Sequence, residues 1–160
     1  MIFNKNKKGI SVVEVVIASS IISVFMMTVS SVYSNFVQLS YDNVNKTQSV
    51  FLLDEGVEAI KTMSAYSWNQ VGSSTADTDY YLIWQDNRWQ STTTSSVIDD
   101  FFIRKFKVQD VYRDPTTLNI VYTGGVSDIN SKIINMLVMW NYKGKTSVKE
   151  ISFYVFNIYE

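Results

Sequence analysis

In 160 residues the chain has no cysteine, no histidine, a single proline and six glycines. Without cysteine there is no disulfide framework, no thiolate metal site and no cysteine nucleophile. Without histidine it lacks the commonest general base, the Ser-His-Asp triad and the usual zinc ligand. An excess of charge of either sign is lacking too. Fourteen Lys and Arg face 15 Asp and Glu, a formal balance of −1 that provides no electrostatic footprint for nucleic acid. These absences weigh against most enzyme classes, and the length fits one domain.

The charges that exist are unevenly placed. Residues 1–9 carry Lys5, Lys7 and Lys8 and no acid, residues 10–41 carry only Glu14, and the other 25 charged side chains fall in 42–160. The chain is thus a basic stub, an apolar segment and a remainder of ordinary soluble-domain charge density. Ile10 to Val32 reads ISVVEVVIASSIISVFMMTVSSV, without Pro or Gly. About 20 residues span a bilayer core as a helix, and in lipid only a helix satisfies a single span's backbone. Lysines precede the segment and none follows until Lys46, so the positive-inside bias puts the N-terminus in the cytoplasm and the bulk of the chain outside. A cleavable secretory signal is the weaker reading. The apolar run is too long, it contains an acid, and it lacks a good small-x-small cleavage site. An ordinary signal anchor would carry Glu14 at a cost, roughly 2.5–3.5 kcal/mol for a carboxylate at a membrane centre and less near an interface. Glu14 is therefore a candidate functional residue.

Lys7-Lys8-Gly9, then Ile10-Ser11-Val12-Val13-Glu14 and a long apolar helix, resembles the N-terminus of type IV prepilins and pseudopilins. The resemblance implies a leader of residues 1–9 that ends at Gly9. A membrane peptidase would cut between Gly9 and Ile10 and methylate the new amine of Ile10, and Glu14 would be the fifth residue of the mature chain. Most family members begin the mature chain with Phe. Ile10 departs from that form and points to a minor rather than a major subunit. Many also have a helix-kinking proline in the apolar segment, whereas the only proline here is Pro115. Given such a cut, the physics is direct. A cationic amine would stand four residues from Glu14 on one helix face. A neighbouring helix shifted by about one turn would bring its own amine beside Glu14 and offset part of the desolvation of both charges. One carboxylate per subunit would then set the stagger of an assembly.

From Tyr33 to Met63 there is no proline and only Gly56, consistent with a continuing helix. Val37, Tyr41 and Val44, then Val50, Leu53, Val57 and Ile60, recur at spacings of three and four and predict one buried face. Phe51 to Lys61 (FLLDEGVEAIK) is similar to the second half of the long helix of minor pilins. Gly56 either permits close packing or weakens the helix by about 1 kcal/mol relative to Ala. Residues 67–79 read as a loop. Tyr80–Trp84 and Arg88–Thr92 read as a hairpin about Gln85-Asp86-Asn87. Phe101–Tyr112 reads as a strand with Phe102, Phe106, Val108 and Tyr112 on one face. Ile133–Trp140 is apolar on both faces, as in a central strand, and Val148–Ile158 returns after a turn at Asn141–Lys145.

The rest of the chain offers little chemistry. The pairs Asp54-Glu55 and Asp99-Asp100 lack calcium-loop spacing, and Gly124-Gly125 lacks a phosphate-binding context. Arg104, Lys105 and Lys107, with Asp110 and Asp114 nearby, read as a mixed-charge surface. Trp84 and Trp89, with Tyr80 and Tyr81, fit core or subunit packing better than a ligand face. No catalytic residue, metal site or cofactor is expected, and nothing points directly to a nucleic acid or a small-molecule ligand.

The expected fold is α+β and pilin-like, one long N-terminal helix packed on a C-terminal antiparallel β-sheet. Its parts are the leader 1–9, the membrane or filament-core helix 10–32, its amphipathic continuation 33–63 and the β head 64–160. The family resemblance implies a structural subunit of a type IV pilus, a type II secretion pseudopilus or a DNA-uptake filament. Its partners would be the prepilin peptidase/N-methyltransferase, other pilin or pseudopilin subunits, the cytoplasmic membrane and an assembly platform. Two competing expectations are an anchored adhesin or sensor domain that never polymerises, and a secreted hydrolase cut near residues 30–35.

Overall fold

A computed structural model of the chain describes residue 9 and residues 11–158. The fold is α+β, with a long apolar N-terminal helix packed on a C-terminal antiparallel sheet. Helix α1 runs without interruption from Val12 to Tyr66, ending three residues beyond the expected Met63. It belongs to two compact units, residues 1–44 and residues 45–160. The described part of the first unit, beyond the short stretch at residues 9 and 11, is helix alone. A one-turn helix α2, Asn69–Gly72, occupies part of the stretch that the sequence predicts as loop.

In the second unit the buried side of α1 is formed by Ser49, Leu53, Gly56, Ile60 and Met63, spaced four, three, four and three, with Ala59 beside them. This corrects the predicted face. Leu53 and Ile60 are buried as expected, but Val57 is only half-buried, and Val50, Tyr41 and Val44 are exposed. The stripe is turned by one residue because small residues complete it. A periodicity argument reads Ser and Gly as polar, whereas here they let the helix approach the sheet. The Ser49 hydroxyl gives its proton to the Lys46 carbonyl (2.7 Å), so its burial leaves no donor unpaired.

The head sheet contains β1 (Tyr80–Gln85), β2 (Arg88–Thr92), β3 (Val97–Ile98), β4 (Phe102–Arg113), β5 (Ile120–Val121), β6 (Val126–Tyr142) and β7 (Lys145–Phe156). The main order is β2-β1-β4-β6-β7, antiparallel throughout, and β3 and β5 also pair with β4. The β1–β2 hairpin forms where expected. Asp86 and Asn87 both take left-handed backbone angles (φ 53° and 57°) between the paired residues Gln85 and Arg88, the conformation a two-residue hairpin loop needs. Lys143 and Gly144 do the same between β6 and β7.

Strand β4 corrects a second expectation. Phe102, Arg104, Phe106 and Val108 alternate inward, but Val111 is buried and Tyr112 is exposed. The ladder with β6 shifts register between Asp110 and Val111, where Lys132 and then Asp128 are the successive partners. Such an irregularity reverses the side-chain parity beyond it. On β6 the residues Ile134, Met136, Val138 and Trp140 are buried, while Ile133, Leu137 and Met139 on the other face stay half-buried. The strand is thus central, but its outer face is only partly covered.

Gly56 sits where helix and sheet come closest. A Cβ there would collide with Met136 Sδ and stand 3.0 Å from Met136 Cε and 3.1 Å from Arg104 Cδ. On an exposed helix Gly→Ala gains about 1 kcal/mol. Here overpacking costs about 1–3 kcal/mol, so Gly56→Ala should lower the urea midpoint of the full chain, followed by tryptophan fluorescence in detergent micelles. The double variant with Met136→Ala should lose less than the sum of the two single losses, because the clash goes with the side chain. A raised midpoint for Gly56→Ala would refute the close-packing role.

Candidate functional site: the apolar helix and the residues around it

The N-terminal part of α1 is long and apolar enough to cross a membrane, and no residue in its most apolar stretch is buried. Its large side chains lie open on every side of the helix, Val12, Phe25 and Met27 among them. A surface of this kind is unstable in water and needs lipid or other protein around it. Its hydroxyls suit such surroundings. Ser19 and Ser20 donate to the carbonyls of Val16 (3.0 Å) and Ile17 (2.8 Å), and Ser23 and Thr28 donate to those of Ser19 (2.8 Å) and Val24 (3.0 Å). Bonded within their own helix, these groups add little polarity to an apolar environment.

Glu14 lies in the first turn of α1, exposed, and is the only charge of the apolar segment. The unpaired amides and the positive end of the helix dipole favour a carboxylate at this position. Gly9 is exposed, with nothing within 4 Å of the place a Cβ would take. Of the other residues singled out in the sequence, Lys5, Lys7, Lys8 and Ile10 lie outside the described residues.

In the head the charged residues are sorted differently from the sequence expectation. Arg104, Lys105 and Lys107 do not pair with Asp110 or Asp114. Lys105 binds Asp79 (2.6 Å) on one face of the sheet, and Lys107 lies 3.9 Å from the same carboxylate. On the other face Arg104 is buried. Its Nη1 donates to Glu55 Oε2 (3.0 Å) and to the Leu52 carbonyl (2.9 Å), and its guanidinium lies 5.4 Å from the Trp89 ring. The expected mixed-charge surface therefore does not include Arg104, which is 4% exposed. The signal for this was present, because Phe102, Arg104 and Phe106 share one side of a period-two strand and an inward arginine requires a partner.

Asp110 pairs with Lys132 (2.5 Å), and the Asp114 carboxylate accepts the amides of Thr116 and Thr117. Arg113 joins β4 to the irregular start of β6 through Asp128 (2.5 Å) and Ser131 (3.1 Å). Two carboxyls are shifted by these contacts. The Thr117 and Thr116 amides hold Asp114 below the usual range. Burial pushes Asp128 up, but hydrogen bonds from Arg113, Ser131 and the Asn130 amide together with the Arg113 charge outweigh it, and Asp128 also ends lower. A carboxyl lowered by folding adds stability above its unfolded value of about 3.9, and this stability is lost as pH falls through the folded value. The urea midpoint should therefore be insensitive to these two groups from pH 5 to 8 and drop below about pH 4. Asp128→Asn should make the acid drop shallower, and an unchanged profile would contradict the assignment.

Asp99 and Asp100 both take left-handed backbone angles in the turn before β4. Among the described residues no group of three His, Cys, Asp or Glu stands close enough to hold a metal ion. Trp84 and Trp89 face each other across the hairpin at 5.3 Å, and Tyr80 stacks on Phe106 at 5.6 Å. Compared with known family models, curated proteins and solved structures, the chain matches none.

Proposed function

We propose that the chain is the precursor of a minor type IV pilin or pseudopilin, a structural subunit rather than an enzyme. One observation carries the reading. A helix stretch with no buried residue carries a single carboxylate, Glu14, in its first turn, after a Gly and a basic stub and ahead of a packed β head. Such a helix needs an apolar environment on all sides, and a membrane followed by a filament core supplies one in turn.

On this reading a prepilin peptidase cuts between Gly9 and Ile10 and methylates Ile10. Positive-inside topology keeps Lys5, Lys7 and Lys8 in the cytoplasm and the head outside until the subunit leaves the membrane. Glu14 then pairs with the terminal amine of a neighbouring subunit and sets the axial stagger. The filament is a pilus, a secretion pseudopilus or a DNA-uptake filament.

Mass spectrometry of the N-terminus in cells that produce the protein tests the reading. The expected species begins at N-methyl-Ile10. An intact leader on membrane-resident protein would favour an anchored, non-polymerising domain, and a cut near residues 30–35 would favour a secreted one.

A further inference from the structure

The second unit has an aromatic groove that the assembly reading does not use. It lies between the last turns of α1 and the tip of the β1–β2 hairpin, has a volume of about 460 Å³ and is mainly apolar. That size and character suit a small ligand. Three aromatic rings stand on it, Tyr66, Trp84 and Trp89. Three rings around a cavity would ordinarily suggest a cage for a quaternary ammonium. Here the protein's own cations already engage two of them. The Arg88 guanidinium lies 5.4 Å from the Tyr66 ring and donates to its hydroxyl (3.2 Å), and Arg104 lies 5.4 Å from Trp89. Trp84 is left as the open ring, 59% exposed and set at 76° to Trp89.

The rim is polar and electrically balanced. Asp86 and Arg88 contribute one charge of each sign, and the side-chain amides of Asn87 and Gln70 also line the groove, without a hydrogen-bond partner among the described residues. An apolar ring flanked by side-chain amides and by one charge of each sign calls for a neutral ligand. That ligand would have one C–H face to lay on the indole and hydroxyls around its edge to meet donors and acceptors. We infer that the groove binds a neutral sugar, one pyranose ring stacking on Trp84 with its hydroxyls held by Asn87, Gln70, Asp86 and Arg88.

The test uses the full chain in a sugar-free detergent. It is titrated with cellotriose, the β-1,4 trimer of N-acetylglucosamine and lactose, with tryptophan fluorescence and saturation-transfer NMR as readouts. A hyaluronan tetrasaccharide and tetramethylammonium serve as the acidic and cationic comparisons. At least one neutral sugar should give a saturable change. Trp84→Ala should weaken it at least tenfold, and Asn87→Ala and Gln70→Ala should weaken it severalfold. Trp68→Phe, whose indole N–H instead meets the Ile129 carbonyl, should leave binding unchanged. Thermal melting checks that each variant is folded, and Trp84→Phe provides a milder change at the same ring. The inference is overturned if no neutral sugar binds, if only the acidic sugar or tetramethylammonium does, or if folded Trp84 and Asn87 variants bind as tightly as the parent. Loss of self-association in Trp84→Ala without any loss of sugar binding would instead assign the groove to a second copy of the chain.

Discussion

Arg104→Ala should destabilise the head by about 2–5 kcal/mol, the range for truncating a long buried side chain. Arg104→Met should cost about 1.5 kcal/mol or less. Arg104 is 4% exposed and reaches from β4 to α1, where a single nitrogen serves both Glu55 and the Leu52 carbonyl. Its buried Nε has no acceptor among the described residues, so the charge is imperfectly satisfied where it sits. The Glu55 side chain is 47% exposed and regains water when the arginine is lost. Removing the cation therefore strands no buried anion. In Arg104→Ala the larger loss is the side-chain stem packed beneath Gly56 and Trp89, and methionine restores most of that volume. Replacing a buried ion pair with an apolar side chain of similar size is often close to neutral, whereas leaving one partner alone is costly. Glu55→Ala should accordingly destabilise more than Arg104→Met, because it leaves the guanidinium buried beside the Leu52 carbonyl alone. Urea unfolding of the three variants decides the matter. Equal losses for Arg104→Ala and Arg104→Met would mean that the charge pair, not the packing, holds helix to sheet.

Replacing Glu14 with alanine should lower incorporation into filaments at least tenfold while leaving membrane insertion intact. The prediction rests on the proposed function. Glu14 is the single charge in the apolar segment, and removing it makes the helix more apolar, so insertion should not suffer. Assembly is another matter, since the terminal amine of a neighbour would enter the filament core with no counter-charge. Breaking a buried pair by deleting one partner costs about 3–5 kcal/mol, a loss of two orders of magnitude or more in an association constant. Glu14→Gln separates charge from shape, because it keeps the hydrogen-bonding outline and removes the negative charge. If ion pairing sets the stagger, both variants should remain in the membrane fraction and be depleted at least tenfold from sheared filaments, as measured by immunoblot. Normal incorporation of either variant would defeat the charge-pairing mechanism.

Several elements could be read from local pattern because local physics decides them. The hairpin about Asp86 and Asn87 depends on two residues that tolerate left-handed angles between two β-rich runs. The helix follows from 55 residues without proline and with one glycine. The buried stripe of α1 differs from the apolar periodicity because Ser49 and Gly56 are inside for their smallness, a property that periodicity does not register. Tyr112 faces outward, against the local alternation, because the register shift at Asp110 and Val111 is set by how β4 meets β6, two strands distant in sequence. The ion pairs depend on the same kind of distant meeting. Arg104 and Glu55 are 49 residues apart, and Lys105 and Asp79 are 26 apart.

The sequence alone determined that a basic stub precedes an apolar span bearing one carboxylate, and that a helix leads into a β head. These are properties of composition and short-range order, set by transfer free energy and backbone preference at each position. Only the tertiary structure decided which helix face is buried, which partner each charge takes and which aromatic ring stays open. Those outcomes depend on close approach between elements far apart in the chain, where a missing Cβ at Gly56 or a shifted register at Asp110 outweighs any local tendency.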